Sequence, residues 1–181
     1  MALRKAASYS KKTVVPYTRV SKVKGKAYVK TVPPRKLVKF KMGREDLLEE
    51  GKLPHFLTVV TKERVQIRDN ALEACRQYLN KKLEEGLSGI YYFKVVPVPH
   101  HIQRENKMLT GAGADRMQTG MQLSFGKAVN KSAILNKNGR VFEIAVADEK
   151  GITLARHILK EVRAKLPCEI KVLYKQIKKN E

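Results

Sequence analysis

The spacing of apolar positions changes several times along the chain, and each change marks an element. LVKFKM, residues 37–42, alternates Val38, Phe40 and Met42 against Leu37, Lys39 and Lys41, the period of a half-buried strand. HFLTVVTKERVQI, residues 55–67, is rich in β-branched residues. ALEACRQYLNKKLEEG then carries Leu72, Cys75, Leu79 and Leu83 at helical spacing, with Asp69 as the expected N-cap and Gly86 as the expected stop. IYYFKVVPV predicts a strand that Pro97 and Pro99 end. KSAILNKNGRVFEIAVAD predicts a hairpin turning at Asn138-Gly139, with Phe142, Ile144 and Val146 facing inward. ITLARHILKEVRAKL predicts a second helix with Ile158, Leu159, Val162 and Leu166 on one side. CEIKVLYK closes the pattern as a strand alternating Ile170, Val172 and Tyr174 against Lys171, Leu173 and Lys175.

Two strand-helix-strand units therefore flank a central stretch with no apolar period, RENKMLTGAGADRMQTGMQLSFGKA. The expected fold is α+β, a two-layer sandwich of two helices on one face of a mixed, largely antiparallel sheet. Its organisation reads as a basic N-terminal arm over residues 1–36, a single domain over 37–175 with an internal loop at 100–121, and a basic tail at 176–181.

Charge narrows the function. The chain has 181 residues with 38 Lys and Arg against 17 Asp and Glu, a formal net charge of +21. The first carboxylate is Glu45, so the arm is wholly basic, with Tyr9, Tyr17 and Tyr28 among its cations. Such a field calls for a polyanion, nucleic acid before an anionic membrane. No apolar run approaches the ~18 residues of a membrane span, and the N-terminus lacks a secretory core, which points to an intracellular protein. The arm is expected to order on its partner.

Little in the sequence supports catalysis. GAGAD has Arg116 where a dinucleotide fingerprint needs its third glycine, and no amphipathic helix follows. His55, His100, His101 and His157 lack metal-ligand spacing, so neither metal nor cofactor is expected. His100 and His101, at the root of the loop, are candidates for phosphate contact. Cys75 and Cys168 read as small buried hydrophobes. Two competitors stay open: a DNA-compacting module using the arm's charge, and a phosphate-ester enzyme using GAGAD as an anion nest.

The stretch NKMLTGAGADRMQTGM followed by SFGK closely resembles the large-subunit ribosomal proteins of the L-ten-e and L-sixteen type in archaea and eukaryotes. The likeness extends upstream through IYYFKVVPVPHHIQRENKML and ALEACRQYLNKKL, and more loosely through the basic arm. Two positions depart from the family pattern: Gln122 replaces an Arg and Ala128 a Pro. The resemblance implies an alpha/beta-hammerhead type fold and a cytoplasmic, non-enzymatic constituent of the large ribosomal subunit. It implies a seat on large-subunit ribosomal RNA beside neighbouring ribosomal proteins. It also implies a loop directed toward the peptidyl-transferase centre and the acceptor ends of transfer RNA. Carried onto this chain, the loop positions are Arg104, Asn106, Lys107, Met108, Gly111, Gly113, Asp115, Arg116, Gln118, Thr119, Gly120, Phe125, Gly126 and Lys127. In this setting the cations meet phosphates while Asn106, Gln118 and Thr119 meet sugars or base edges. Arg4, Lys5, Lys11, Lys12, Arg19, Lys22, Lys24 and Lys26 are the arm's candidates for backbone contacts.

Overall fold

A computed structural model describes residues 5–14, 16–17, 32–105 and 127–177. In chain order the elements are β1 (Lys41–Gly43), α1 (Glu45–Glu49), β2 (His55–Thr61), β3 (Val65–Arg68) and α2 (Asp69–Leu87). They continue with β4 (Tyr91–Val95), β5 (His101–Glu105), β6 (Lys127–Leu135), β7 (Arg140–Val146), α3 (Glu149–Val162) and β8 (Ile170–Gln176). Short 3-10 turns occupy Ala6–Ser8 and Arg163–Lys165.

The fold is α+β, as expected, with the strands divided between two sheets. One has the order β1-β4-β7-β2-β8, the other β3-β6-β5, and every described pairing is antiparallel. Helices α2 and α3 pack on each other. The core they close takes Leu57, Val59, Phe93 and Phe142 from the larger sheet, and Val65, Ile67 and Ala133 from the smaller.

The helical stripe behaves as its spacing predicts: Leu72, Cys75, Leu79 and Leu83 are all fully buried. Removing each large side chain from water is worth about 1.5–3 kcal/mol. The helix ends differ from expectation. Asp69 is the first helical residue rather than the cap, and its carboxylate accepts from the Asn70 amide at 2.8 Å and the Lys36 amide at 3.3 Å. Gly86 does not stop the helix, which runs one residue further to a cap at Ser88 with φ of +48°. Gly86 serves close approach instead, since a Cβ there would stand 2.3 Å from Cδ2 of Leu154 on α3.

The 37–42 strand is shorter than expected, and its alternation holds only in its second half. Pairing starts only at Lys41; Phe40 and Met42 pack against the core while Lys39 and Lys41 are exposed, as predicted, but Leu37 is fully buried and Val38 is 75% exposed, the reverse of the prediction. The Asp69 carboxylate fixes the chain at Lys36, and the Phe40 carbonyl accepts from the Val95 amide at 2.8 Å, so contacts outside the segment set its orientation.

The hairpin expected at Asn138-Gly139 does not form, because β6 and β7 enter different sheets. A tight turn is present, with Asn138 at φ +64°, but its backbone is engaged by the end of β2. The Asn138 amide donates to the Thr61 carbonyl at 2.8 Å, and the Thr61 amide donates to the Gly139 carbonyl at 3.0 Å. Phe142, Ile144 and Val146 do face inward. Of the second helix's predicted side, Ile158, Leu159 and Val162 lie on α3, while Leu166 is buried beyond its end. Strand β8 is an edge strand, and its alternation fades at Tyr174, which is as exposed as Leu173.

Candidate nucleic-acid interface

The smaller sheet has two unlike faces, as alternation requires. Val65, Ile67 and Ala133 point into the core. The register puts Gln66 and Arg68 of β3, Ser132 of β6, and His101 and Gln103 of β5 on the opposite, polar face. Gln66 accepts at Oε1 from Gln103 Nε2 at 3.2 Å and from the Ser132 hydroxyl at 3.3 Å.

The arm lies across this sheet. At the β3 edge the Gln66 amide donates to the Ser10 carbonyl at 2.8 Å, and Gln66 Nε2 donates to the Lys12 carbonyl at 3.1 Å. At the β5 edge the Ile102 amide donates to the Tyr17 carbonyl at 2.8 Å. The Tyr17 amide donates to Nδ1 of His101, also at 2.8 Å. The described part of the arm is thus docked on its own domain, where the expectation was that the arm orders on its partner; residues 1–4, 15 and 18–31 lie outside the described residues.

His101 is the fastening point. It is buried, and burial first, then the charges of His100 and Arg104, push its pKa down to about 4. The ring is neutral at pH 7, as an acceptor at Nδ1 must be. His101, a candidate for phosphate contact, thus has an internal role at Nδ1. His100 is half-buried, with its Nδ1 3.1 Å from the Val98 carbonyl.

Three residues beyond His101 on β5, the Arg104 guanidinium sits 4.0 Å above the Tyr17 ring, a cation-π contact. Arg104 opposes Ala128 across a bulge and Glu105 opposes Lys127, so this pair of strands is the root of the glycine-rich stretch. Ala128 is a paired strand residue of the central strand, where proline would have no amide to donate.

Among the loop candidates, Arg104 and Lys127 are placed at this root, facing the same ladder end. Asn106, Lys107, Met108, Gly111, Gly113, Asp115, Arg116, Gln118, Thr119, Gly120, Phe125 and Gly126 lie outside the described residues. Of the loop expected at 100–121, residues 101–105 are strand. Among the arm candidates, Lys5, Lys11 and Lys12 are exposed, and Lys11 lies 3.4 Å from Glu63. Arg4, Arg19, Lys22, Lys24 and Lys26 lie outside the described residues. Sequence reasoning missed the part played by Gln66 and the inward role of His101. A Gln inside a strand with Val65 and Ile67 on either side was the available signal.

The other chemical candidates have structural explanations. Burial raises the thiols of Cys75 and Cys168 to about 12 and about 11. His55 meets the Tyr174 hydroxyl at 2.8 Å, and His157 is an exposed helix residue. Among the described residues no cluster of His, Cys, Asp or Glu has a metal-binding arrangement, and no helix is long and apolar enough to cross a membrane.

Fold and site together define a basic two-sheet protein whose distinctive surface is a docked arm beside the root of a long glycine-rich insertion. A family model described as Ribosomal protein L16p/L10e matches residues 13–173. The chain is 38% identical over 180 residues to the large ribosomal subunit protein uL16 of Caldivirga maquilingensis, covering 98% of each chain. It is 37% identical over 177 residues to the uL16 protein of Thermofilum pendens, covering 97% of this chain and 99% of the relative. The uL16 protein of Methanococcus maripaludis strain C7 is 39% identical over 175 residues, 96% of this chain and 94% of the relative. The chain belongs to the ribosomal protein L16p/L10e family, in its archaeal form, and is a structural ribosomal protein rather than an enzyme.

Proposed function

We propose that this protein, as a constituent of the large ribosomal subunit, binds ribosomal RNA through its arm and loop and carries the loop toward the peptidyl-transferase centre. There the loop meets the acceptor ends of transfer RNA during translation. The observation that carries this reading is the loop's root: residues 106–126 join two strands of one ladder, closed by Glu105 opposite Lys127, with Arg104 held over Tyr17. A root of this kind supplies a rigid base for a segment that otherwise has no apolar period of its own. Lys107 and Arg116 within that segment, with Lys127 at its root, neutralise phosphates, Asn106, Gln118 and Thr119 meet sugars or bases, and Gly111 and Gly113 permit close backbone approach. In the arm, residues 1–36, Lys5, Lys12 and the cations toward Lys26 supply contacts without sequence preference.

The test is the salt dependence of affinity for large-subunit ribosomal RNA. If about eight phosphates are neutralised, log affinity falls against log salt with a slope of roughly −6 to −7. A flat response removes the electrostatic basis of this reading.

A further inference from the structure

Two sheets have four edges between them, and three are short or covered. At the β3 edge the Gln66 amide meets Ser10 of the arm, at the β5 edge the Ile102 amide meets Tyr17, and β1 is only three residues long. The fourth edge, β8, is open among the described residues. It runs seven residues, Ile170–Gln176, in unbroken register with β2, and contains neither proline nor bulge. The Ile177 amide donates to the Pro54 carbonyl at 2.8 Å and the Lys62 amide to the Glu169 carbonyl at 3.1 Å, which fixes the phase of the ladder. Odd-numbered residues of β8 therefore turn their backbone groups toward β2. The amides and carbonyls of Ile170, Val172, Tyr174 and Gln176 point outward, without partners among the described residues. Such a row of free donors and acceptors is a template for another strand.

Side chains on this edge sort by face. Ile170 and Val172 pack against the core, which leaves Lys171, Leu173 and Lys175 on the outer face, with Ile177 just beyond the strand. Leu173 is 43% exposed and Ile177 47%, large apolar side chains that the fold leaves in water. Lys171 and Lys175 are exposed and make no ion pair among the described residues. We propose that β8 docks an extended segment of another protein, added as a sixth strand to the larger sheet, with two carboxylates four residues apart and an apolar residue midway. The carboxylates stand opposite Lys171 and Lys175 and the apolar residue opposite Leu173, since opposite charges across a strand pair attract and like charges repel. A peptide backbone offers the same alternation of donor and acceptor as the edge itself, whereas a nucleic acid would set its phosphates against the strand's carbonyls. A second copy of the chain is disfavoured by its charge of +21, and residues 18–31 of the arm carry five cations and no acid. The docking surface stands independently of the RNA-binding reading above.

The test is an NMR titration of the isotope-labelled, full-length protein with the blocked peptide Thr-Glu-Thr-Leu-Thr-Glu-Thr. Two further peptides serve as controls: one with Lys in place of each Glu, and one N-methylated at every Thr, which keeps the charge and removes the donors. The acidic peptide is expected to shift the amide signals of β8 and to slow solvent exchange of the Ile170, Val172, Tyr174 and Gln176 amides, while both controls leave them unchanged. The double variant Lys171→Gln, Lys175→Gln alters two exposed side chains and is expected to weaken binding about two- to thirtyfold, the span of two cross-strand charge pairs. Unaltered exchange of the four amides, an equal response to the N-methylated copy, or an affinity untouched by the double variant overturns the proposal. Slowed exchange there as the protein alone is concentrated assigns the edge to a second copy, and slowing by an RNA hairpin assigns it to nucleic acid; either result overturns the proposal as well.

Discussion

Acid should unfasten the arm at one identifiable place. His101 accepts the Tyr17 amide at Nδ1 and has a pKa of about 4, against an ordinary value near 6.5. Its folded pKa is depressed and it is a base, so between those two values the unfolded chain binds the extra proton and folding stability falls as pH drops. Stability from this group is nearly complete at pH 7 and is lost progressively from about pH 6.5 down to about pH 4. Integrating the two titrations gives a loss of about 2 kcal/mol by pH 5 and about 3 kcal/mol by pH 4. Other groups titrate over the same range, so the assay is a comparison. Urea denaturation of wild type and His101→Asn is followed at pH 7, 5 and 4, since the Asn Oδ1 preserves an acceptor in place of Nδ1 but takes up no proton. The stability of wild type relative to the variant should fall by about 3 kcal/mol across the series. Hydrogen exchange at the Tyr17 amide should quicken in wild type over the same interval. A difference between the two proteins that is the same at every pH would refute the assignment of His101 as a neutral, buried acceptor.

Gly43→Ala should destabilise the protein by about 2 kcal/mol or more in urea denaturation, because the residue has φ of +80° and a Cβ there would lie 2.2 Å from the Tyr91 carbonyl oxygen. A stability equal to wild type would contradict that geometry. Cys75 and Cys168, with thiols held at about 12 and about 11, should react with a thiol reagent at pH 8 far more slowly in the native protein than in urea. Equal rates would mean that the thiols are not buried.

The parts of the fold legible in the sequence are those fixed by local period. The α2 stripe is readable because every stripe residue faces the same core, and β7 because Phe142, Ile144 and Val146 share one face of an inner strand. Period could not tell that Asn138-Gly139 joins two sheets, since a tight turn has the same residues whether or not its strands pair. Nor could it separate Gly86 as a stop from Gly86 as a close approach, since both place a glycine near the end of an apolar stripe. The docked arm was hidden for a different reason. Ser10, Lys12 and Tyr17 contribute backbone groups to its anchorage, and a backbone carbonyl leaves no trace in residue type. His101 shows the same limit: its side chain and its neighbours His100 and Arg104 are visible in the sequence, but its protonation follows first from burial, which only the folded chain supplies. The root of the loop was half legible, with Arg104 and Lys127 named and their partners Tyr17 and Glu105 supplied by tertiary structure.

The central claim, that this arm and loop bind large-subunit ribosomal RNA, is tested most directly by sedimenting the native protein with ribosomal subunits and mapping its protection of the RNA from chemical probes. The account predicts that it travels with the large subunit and protects ribosomal RNA, including positions near the peptidyl-transferase centre that become reactive when residues 106–126 are replaced by a short glycine linker. Protein that remains at the top of the gradient, or that sediments without protecting any ribosomal RNA, contradicts it.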